Sequence, residues 1–159
     1  MIKIQKIIQQ FIQSESYANT SIHYDANAIK IRMHENNSDN RYIFIYIYHP
    51  WRITVNCKII NSSDLYPYES ECRSKSIHKK KFDNYCNSTK LLSTEHISDV
   101  VITSGSNDLI IKWTNGTMLE CFCLNTNEWS YHIYDYLNCI QYDCCYGKIV
   151  RSKFDTPIT

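Results

Sequence analysis

Glycine and proline are scarce, at three residues each in a chain of 159. Phosphate loops and dinucleotide fingerprints need clustered glycines for close backbone approach, so the isolated Gly105, Gly116 and Gly147 exclude both. Net charge is nearly absent at +1, which gives no global reason to expect nucleic acid or an anionic membrane as partner. Long apolar runs are missing as well. The longest candidate, Tyr42–Tyr48, is strand-sized, against the roughly 18–20 residues that span a bilayer. Lysines interrupt the apolar residues of the opening MIKIQKIIQQFIQ, and no small-residue cleavage site follows, so the expectation is a cytoplasmic protein. The mean hydropathy of −0.41 is that of a soluble chain, and the length suits one domain with its own core.

Aromatic residues are plentiful at 13%, mainly tyrosine. The accompanying isoleucine and asparagine fit an AT-rich genome as well as a structural demand. Eight cysteines (Cys57, Cys72, Cys86, Cys121, Cys123, Cys139, Cys144 and Cys145) and sequons at Asn19, Asn36, Asn61, Asn87 and Asn115 raise the alternative of a secreted, disulfide-bonded viral or pathogen protein. Against it, a chain expected to lack a leader is expected in a reducing compartment, and an asparagine-rich chain generates sequons by chance.

Ile2, Ile4, Ile7, Ile8, Phe11 and Ile12 recur at three- and four-residue spacings, which predicts an amphipathic helix over residues 1–13. A first β half is expected over 21–64. Within it Ser21–Tyr24 is a short strand, Ala28–His34 alternates as a strand, and Arg41–Tyr48 is bulky on both faces, as a covered central strand would be. His49-Pro50 ends that strand. Trp51–Ile53 continues into Val55–Ile60, and Asn61–Asp64 forms a turn. Residues 65–90 show no sustained period and read as an exposed connection, with the basic run Arg73–Lys81 as a solvated loop rather than a nucleic-acid patch.

A second β half is expected over 97–146, preceded by a helical turn within Lys90–Asp99. Leu109–Trp113 and Met118–Leu124 flank Thr114-Asn115-Gly116-Thr117, and Asn-Gly between β-prone runs predicts a hairpin with a type I′ turn. Trp129–Ile133 is a strand or the start of a helix. Tyr134, Leu137, Ile140 and Cys144 share a helical spacing, which leaves Tyr134–Tyr146 ambiguous, and 151–159 reads as a tail. Together these predict a single α+β domain over 1–150, with one mostly antiparallel sheet of about six to eight strands and the amino-terminal helix on one face.

The two halves echo one another. Ile29–Ile53 and Leu109–Ile133 each run strand, turn, strand and then a tryptophan block. Pro50-Trp51-Arg52-Ile53, with Ile59–Asp64 after it, resembles the first signature of a group of small uncharacterised bacterial proteins, some thought to be immunity proteins against toxins. Asp108–Phe122 (DLIIKWTNGTMLECF) resembles that group's later Asp-Leu to Asn-Gly to Leu-Glu-x-Phe hairpin, with Trp113 at a usual phenylalanine and Cys121 at a usual valine. Asn127-Glu128-Trp129-Ser130 inverts the tryptophan–serine order of the group's Glu-Ser-Trp. The resemblance covers about half the chain and implies a fold class and an immunity-like setting, with no activity to transfer.

Three kinds of chemistry are candidates. Cys121 and Cys123, two apart on a strand, point to one face as metal ligands would, and Cys139, Cys144, Cys145 and His132 are the residues to complete a site. No paired C-x₂-C supports this, and free cysteines commonly serve as small core hydrophobes. The same cysteines are the candidates for a cysteine- or metal-dependent enzyme, with no elbow-like turn to present a thiol. Among carboxylates, Asp64 and Asp108 sit where turns favour Asp, and Arg52 is expected to pair with an acid. Trp51, Arg52, Glu128 and Trp129 are the candidate recognition surface, because Trp and Arg dominate interface hot spots. The sequence therefore favours a non-enzymatic domain that binds a partner protein, with no cofactor and no catalytic residue.

Overall fold

The computed structural model describes residues 3–15, 17–36, 38–48, 50–87, 92, 95–123 and 128–154, with the backbone alone for 38–41. Expectations placed on residues 1–2, His49, 88–91, Leu124, Asn127 and 155–159 fall outside the described residues. Among the described residues, eleven strands form two antiparallel sheets. The strands are β1 (Tyr17–Asp25), β2 (Ala28–Glu35), β3 (Ser38–Ile47), β4 (Trp51–Val55), β5 (Lys58–Ser62), β6 (Ile97–Ile102), β7 (Leu109–Trp113), β8 (Thr117–Cys121), β9 (Trp129–Asp135), β10 (Ile140–Cys145) and β11 (Lys148–Lys153). The first sheet has the order β1-β2-β3-β9-β10-β11 and the second β5-β4-β8-β7-β6. The expected single sheet is corrected to two. Alternation of apolar residues identifies a core-facing side, and it is silent on which of two sheets supplies it.

The core follows from that alternation. Ile29, Ile31 and Met33 of β2, Ile43, Ile45 and Ile47 of β3, Ile53 of β4, Leu109 and Ile111 of β7, Leu119 and Cys121 of β8, and Tyr131 and Ile133 of β9 are fully buried in one continuous cluster. Its residues come from both sheets, so burial of the two inner faces against one another supplies the main driving force.

The echo between the halves is an exchange of strands. Replacing β1-β2-β3-β9-β10 by β6-β7-β8-β4-β5 converts the order of the first sheet into that of the second. The register agrees. Ile29 pairs Ile47, which pairs Tyr131; Leu109 pairs Cys121, which pairs Trp51. At the exchange point Tyr48 N–H donates to Ser130 O at 3.0 Å, and its counterpart Phe122 N–H donates to Pro50 O at 3.0 Å. The structural counterpart of Trp51 is therefore Tyr131, and Trp129 lies two residues earlier. Cys121 occupies the position that Ile47 holds in the other half, which is why it is a core residue.

Turn chemistry departs from expectation at the Asn-Gly hairpin. Gly116 N–H donates to Trp113 O at 3.1 Å and Gly116 has φ +81°, while Asn115 keeps a negative φ and accepts from Thr117 N–H at 2.9 Å. The loop is thus a three-residue connection closed by a left-handed glycine, not a type I′ turn. A two-residue turn with both φ positive occurs instead at Asn56 (50°) and Cys57 (62°), where it divides the expected strand Val55–Ile60 into β4 and β5.

Three further expectations are corrected. The described part of the expected connection, residues 65–87, is mostly exposed, yet it carries a helix, α2 (Lys75–Asn87), in place of a loop. Tyr85 is its one buried residue, too few to print a helical period. The ambiguous segment after Tyr134 is the β9–β10 hairpin, and residues 151–153 of the expected tail complete edge strand β11, whose exposed side chains leave no alternation to read. The amino-terminal helix α1 (Lys3–Ile12) buries Ile4, Ile8 and Phe11 in the core. It is also joined to the backbone of β6: Gln5 Oε1 accepts from Ile102 N–H at 3.1 Å and Gln9 Nε2 donates to Val100 O at 3.3 Å. Those bonds satisfy backbone groups that an edge strand would otherwise leave bare.

Candidate functional site

Because Ile43, Ile45 and Ile47 of β3 face inward, the alternate residues Tyr42, Phe44 and Tyr46, followed by Tyr48, occupy the outer face of the first sheet. On the neighbouring β9, inward Tyr131 and Ile133 leave His132 and Tyr134 outward, followed by Tyr136. The pairings align these residues in rows across the sheet. One row runs Lys30, Tyr46, His132, Asp143; the next runs Arg32, Phe44, Tyr134, Gln141. The result is an aromatic stripe flanked by two cations on β2 and by an acid and an amide on β10.

The stripe is held together by its own contacts. Ring centroids lie 5.8 Å apart for Phe44–Tyr134, 4.6 Å for Tyr46–Tyr48 and 5.2 Å for Tyr136–Phe154, within the range of favourable aromatic pairs. Arg32 stacks its guanidinium 4.6 Å from the Tyr42 ring, and Lys30 places its ammonium 5.2 Å from that of Tyr46. Lys30 also reaches Asp25 at 2.8 Å, and Tyr46 OH donates to the same carboxylate at 3.0 Å. These bonds, the Lys30 bond foremost, hold the Asp25 carboxyl below its usual range. Burial, reinforced by the bond to Asp25, pushes Tyr46 up to about 12. Burial and a bond to Tyr42 likewise raise Tyr136 to about 12. Tyr48 and Tyr134 are raised too, first by burial and then by neighbouring charge.

At the β10 side, His132 Nδ1 is hydrogen-bonded to Asp143 Oδ1, which also accepts from Gln141 Nε2 at 2.5 Å. The imidazole is buried between Tyr48 (5.2 Å) and Trp129 (4.8 Å). This pair fixes the ring's orientation at one end of the stripe.

The four residues expected to form one surface are divided, with Trp51 and Arg52 on β4 of the second sheet and Glu128 and Trp129 at the start of β9 in the first. Trp51 is 1% exposed, its indole N–H donating to Asn27 O at 2.7 Å, so its ring is part of the core. Arg52 lies on the outer face of the second sheet, bonded through Nε to Glu120 at 2.6 Å with its guanidinium 5.1 Å from the Phe122 ring. This is the arginine–carboxylate contact the sequence leads one to expect. Trp129 is 46% exposed, and it abuts the aromatic stripe through His132; Glu128 beside it is exposed. The residues that sequence reasoning missed are Phe44, Tyr46, Tyr48, His132, Tyr134, Tyr136 and Asp143. A signal existed: in Tyr42–Tyr48 one phase of the alternation is purely aliphatic and the other purely aromatic.

The cysteine candidates divide as well. Cys121 is fully buried, its thiol pushed well above the ordinary range by burial. Cys144 and Cys145 are buried, and Cys123 and Cys139 are half-buried. Among the described residues, no group of three or more His, Cys, Asp and Glu is arranged to hold a metal ion. No helix of the described residues is long and apolar enough to cross a membrane. No family model matches the chain, and neither a curated protein nor a solved structure matches it.

Proposed function

We propose that the protein is a non-enzymatic, cytoplasmic interaction domain that binds a partner protein through the outer face of its six-stranded sheet. The observation that carries this reading is the aromatic stripe Phe44, Tyr46, Tyr48, Tyr134 and Tyr136, extended by exposed Trp129. Rigid aromatic side chains on a sheet lose little conformational entropy on binding, and Tyr and Trp combine apolar area with a polar tip. Their fixation by cross-strand neighbours means that the free protein already holds the geometry a partner would meet. The immunity-like setting rests on the resemblance of Pro50–Ile53 and Asp108–Phe122 to the bacterial group described above. It makes a toxin encoded beside this chain the partner to try first.

The test is co-purification of the chain with the product of the adjacent gene, repeated with Trp129→Ala and Tyr134→Ala. Loss of the complex with an unchanged melting temperature supports the stripe as the contact surface. Retention at full affinity by folded variants places the contact elsewhere, and catalytic turnover by the purified chain would replace this reading with an enzymatic one.

A further inference from the structure

Cys123 lies two residues beyond β8, in the second sheet, and Cys144 lies on the inner side of β10, in the first. Their sulfur atoms are 2.7 Å apart. That separation is far inside ordinary sulfur–sulfur contact and close to the bond length of about 2.05 Å. It is also too short for two thiolates sharing a tetrahedral zinc ion, which would stand about 3.8 Å apart. Both residues are positioned by backbone. Cys123 N–H is held by Asp108 Oδ1 at 2.7 Å, and Cys144 is locked in register between Tyr131 and Ile149. Neighbouring Cys121 directs its own thiol to Ser130 O, 3.5 Å away, and so leaves Cys123 to Cys144.

We propose that Cys123 and Cys144 are a redox-reversible dithiol whose disulfide ties the two sheets together. The oxidant is a small-molecule disulfide of the glutathione class. The half-buried Cys123 is the thiol that meets it, because Cys144 is buried. The Cys123 thiolate attacks one sulfur of the small disulfide, whose S–S bond breaks and whose other half leaves as a thiolate that takes up a proton. Cys144 then attacks Cys123 Sγ as its proton passes to the departing small thiolate, forming the protein disulfide and releasing the second small thiol. Two protein thiols are oxidised by two electrons, and one small disulfide is reduced to two thiols. The closed loop encloses β9, the strand that presents His132 and Tyr134, so oxidation clamps the aromatic stripe from beneath. The dithiol stands on its own geometry, whatever partner the stripe binds.

The experiment equilibrates the purified full-length chain in glutathione buffers of graded oxidised-to-reduced ratio, quenches with acid, alkylates under denaturing conditions and maps the linkage. No lysine or arginine lies between Lys112 and Lys148, so trypsin leaves five cysteines in one peptide. Chymotryptic cleavage after Phe122 separates Cys121 from Cys123, and fragmentation of the wild-type peptides distinguishes Cys144 from Cys145. The expected result is an intact mass lower by two hydrogens, a Cys123–Cys144 linkage, a higher melting temperature, and full reversal by excess dithiol. In Cys123→Ser the mass loss disappears. Complete alkylation of both cysteines at every ratio, linkage of Cys144 to a different cysteine, or persistence of the mass loss in Cys123→Ser would overturn the proposal.

Discussion

The two sheets share one topology and differ in what they show to solvent. Inward, equivalent positions carry equivalent chemistry: Ile47 and Cys121, Ile53 and Ile133, Trp51 and Tyr131 are all buried. Outward, the second sheet displays charge pairs, Arg52 with Glu120 at 2.6 Å and Lys112 with Asp99 at 3.7 Å, whereas the first displays the aromatic stripe. The inner faces are constrained by the need to fill one core. The outer faces are free of that constraint, and their divergence is the reason the proposed contact surface is placed on the first sheet rather than the second.

The largest expected effect separates the two tryptophans. Trp51→Ala empties a core position and should cost about 3–5 kcal/mol in urea unfolding, while Trp129→Ala should stay within about 0.5 kcal/mol. Equal losses would place both rings in the core and remove Trp129 from the surface. Next, Ile53→Ala and Ile133→Ala occupy exchanged positions at the centre of each sheet. Each should cost about 2–5 kcal/mol, and the two should agree within about 1 kcal/mol. A wide disagreement would show that the topological equivalence does not extend to packing.

A smaller contrast lies within the first sheet. Tyr131 OH donates to Asn107 O at 2.9 Å, and Tyr142 OH is buried without a partner among the described residues. Tyr131→Phe should therefore cost about 1 kcal/mol, and Tyr142→Phe should be neutral or stabilising in the same unfolding assay.

The smallest effect is alkaline. A tyrosine raised in the folded state contributes stability that is intact below its unfolded value of about 10 and is lost as pH rises through its folded value. For Tyr46 and Tyr136 that folded value is about 12. Phenolate absorbance should show these hydroxyls titrating late, and stability should decline across that window. In Tyr46→Phe the decline should be shallower. The strands of the second sheet contain no tyrosine, so Tyr46→Phe reports on the first sheet, while buried Cys121 on β8 and Tyr85 on α2 carry alkaline lability of their own.

Much of the secondary structure was legible because local patterns carry it. The period of α1, the alternation of β2 and the two apolar runs around Asn115-Gly116 all found their elements. The partition into two sheets was not legible, since each inward face obeys the same alternation. Strand β11 and helix α2 escaped because neither buries enough of its surface to imprint a period. Of the four candidate surface residues, Trp51 lies in the core, Arg52 on the outer face of the second sheet, and Glu128 and Trp129 are exposed. Trp51 and Trp129 look like equivalents in the repeat, yet the register makes Tyr131, not Trp129, the counterpart of Trp51. The aromatic phase of β3 is visible in the sequence, but tyrosine fits a core as well as a surface, so the pattern alone predicts a second covered face.

Hydroxyl-radical footprinting of the chain alone and bound to its partner tests the central claim most directly, since aromatic and methionine side chains are among those it labels most readily. The account predicts that Phe44, Tyr46, Tyr48, Trp129 and Tyr134 lose labelling in the complex while Met118 on the second sheet keeps it. Protection of Met118 and Phe122 with an unchanged aromatic stripe would contradict it.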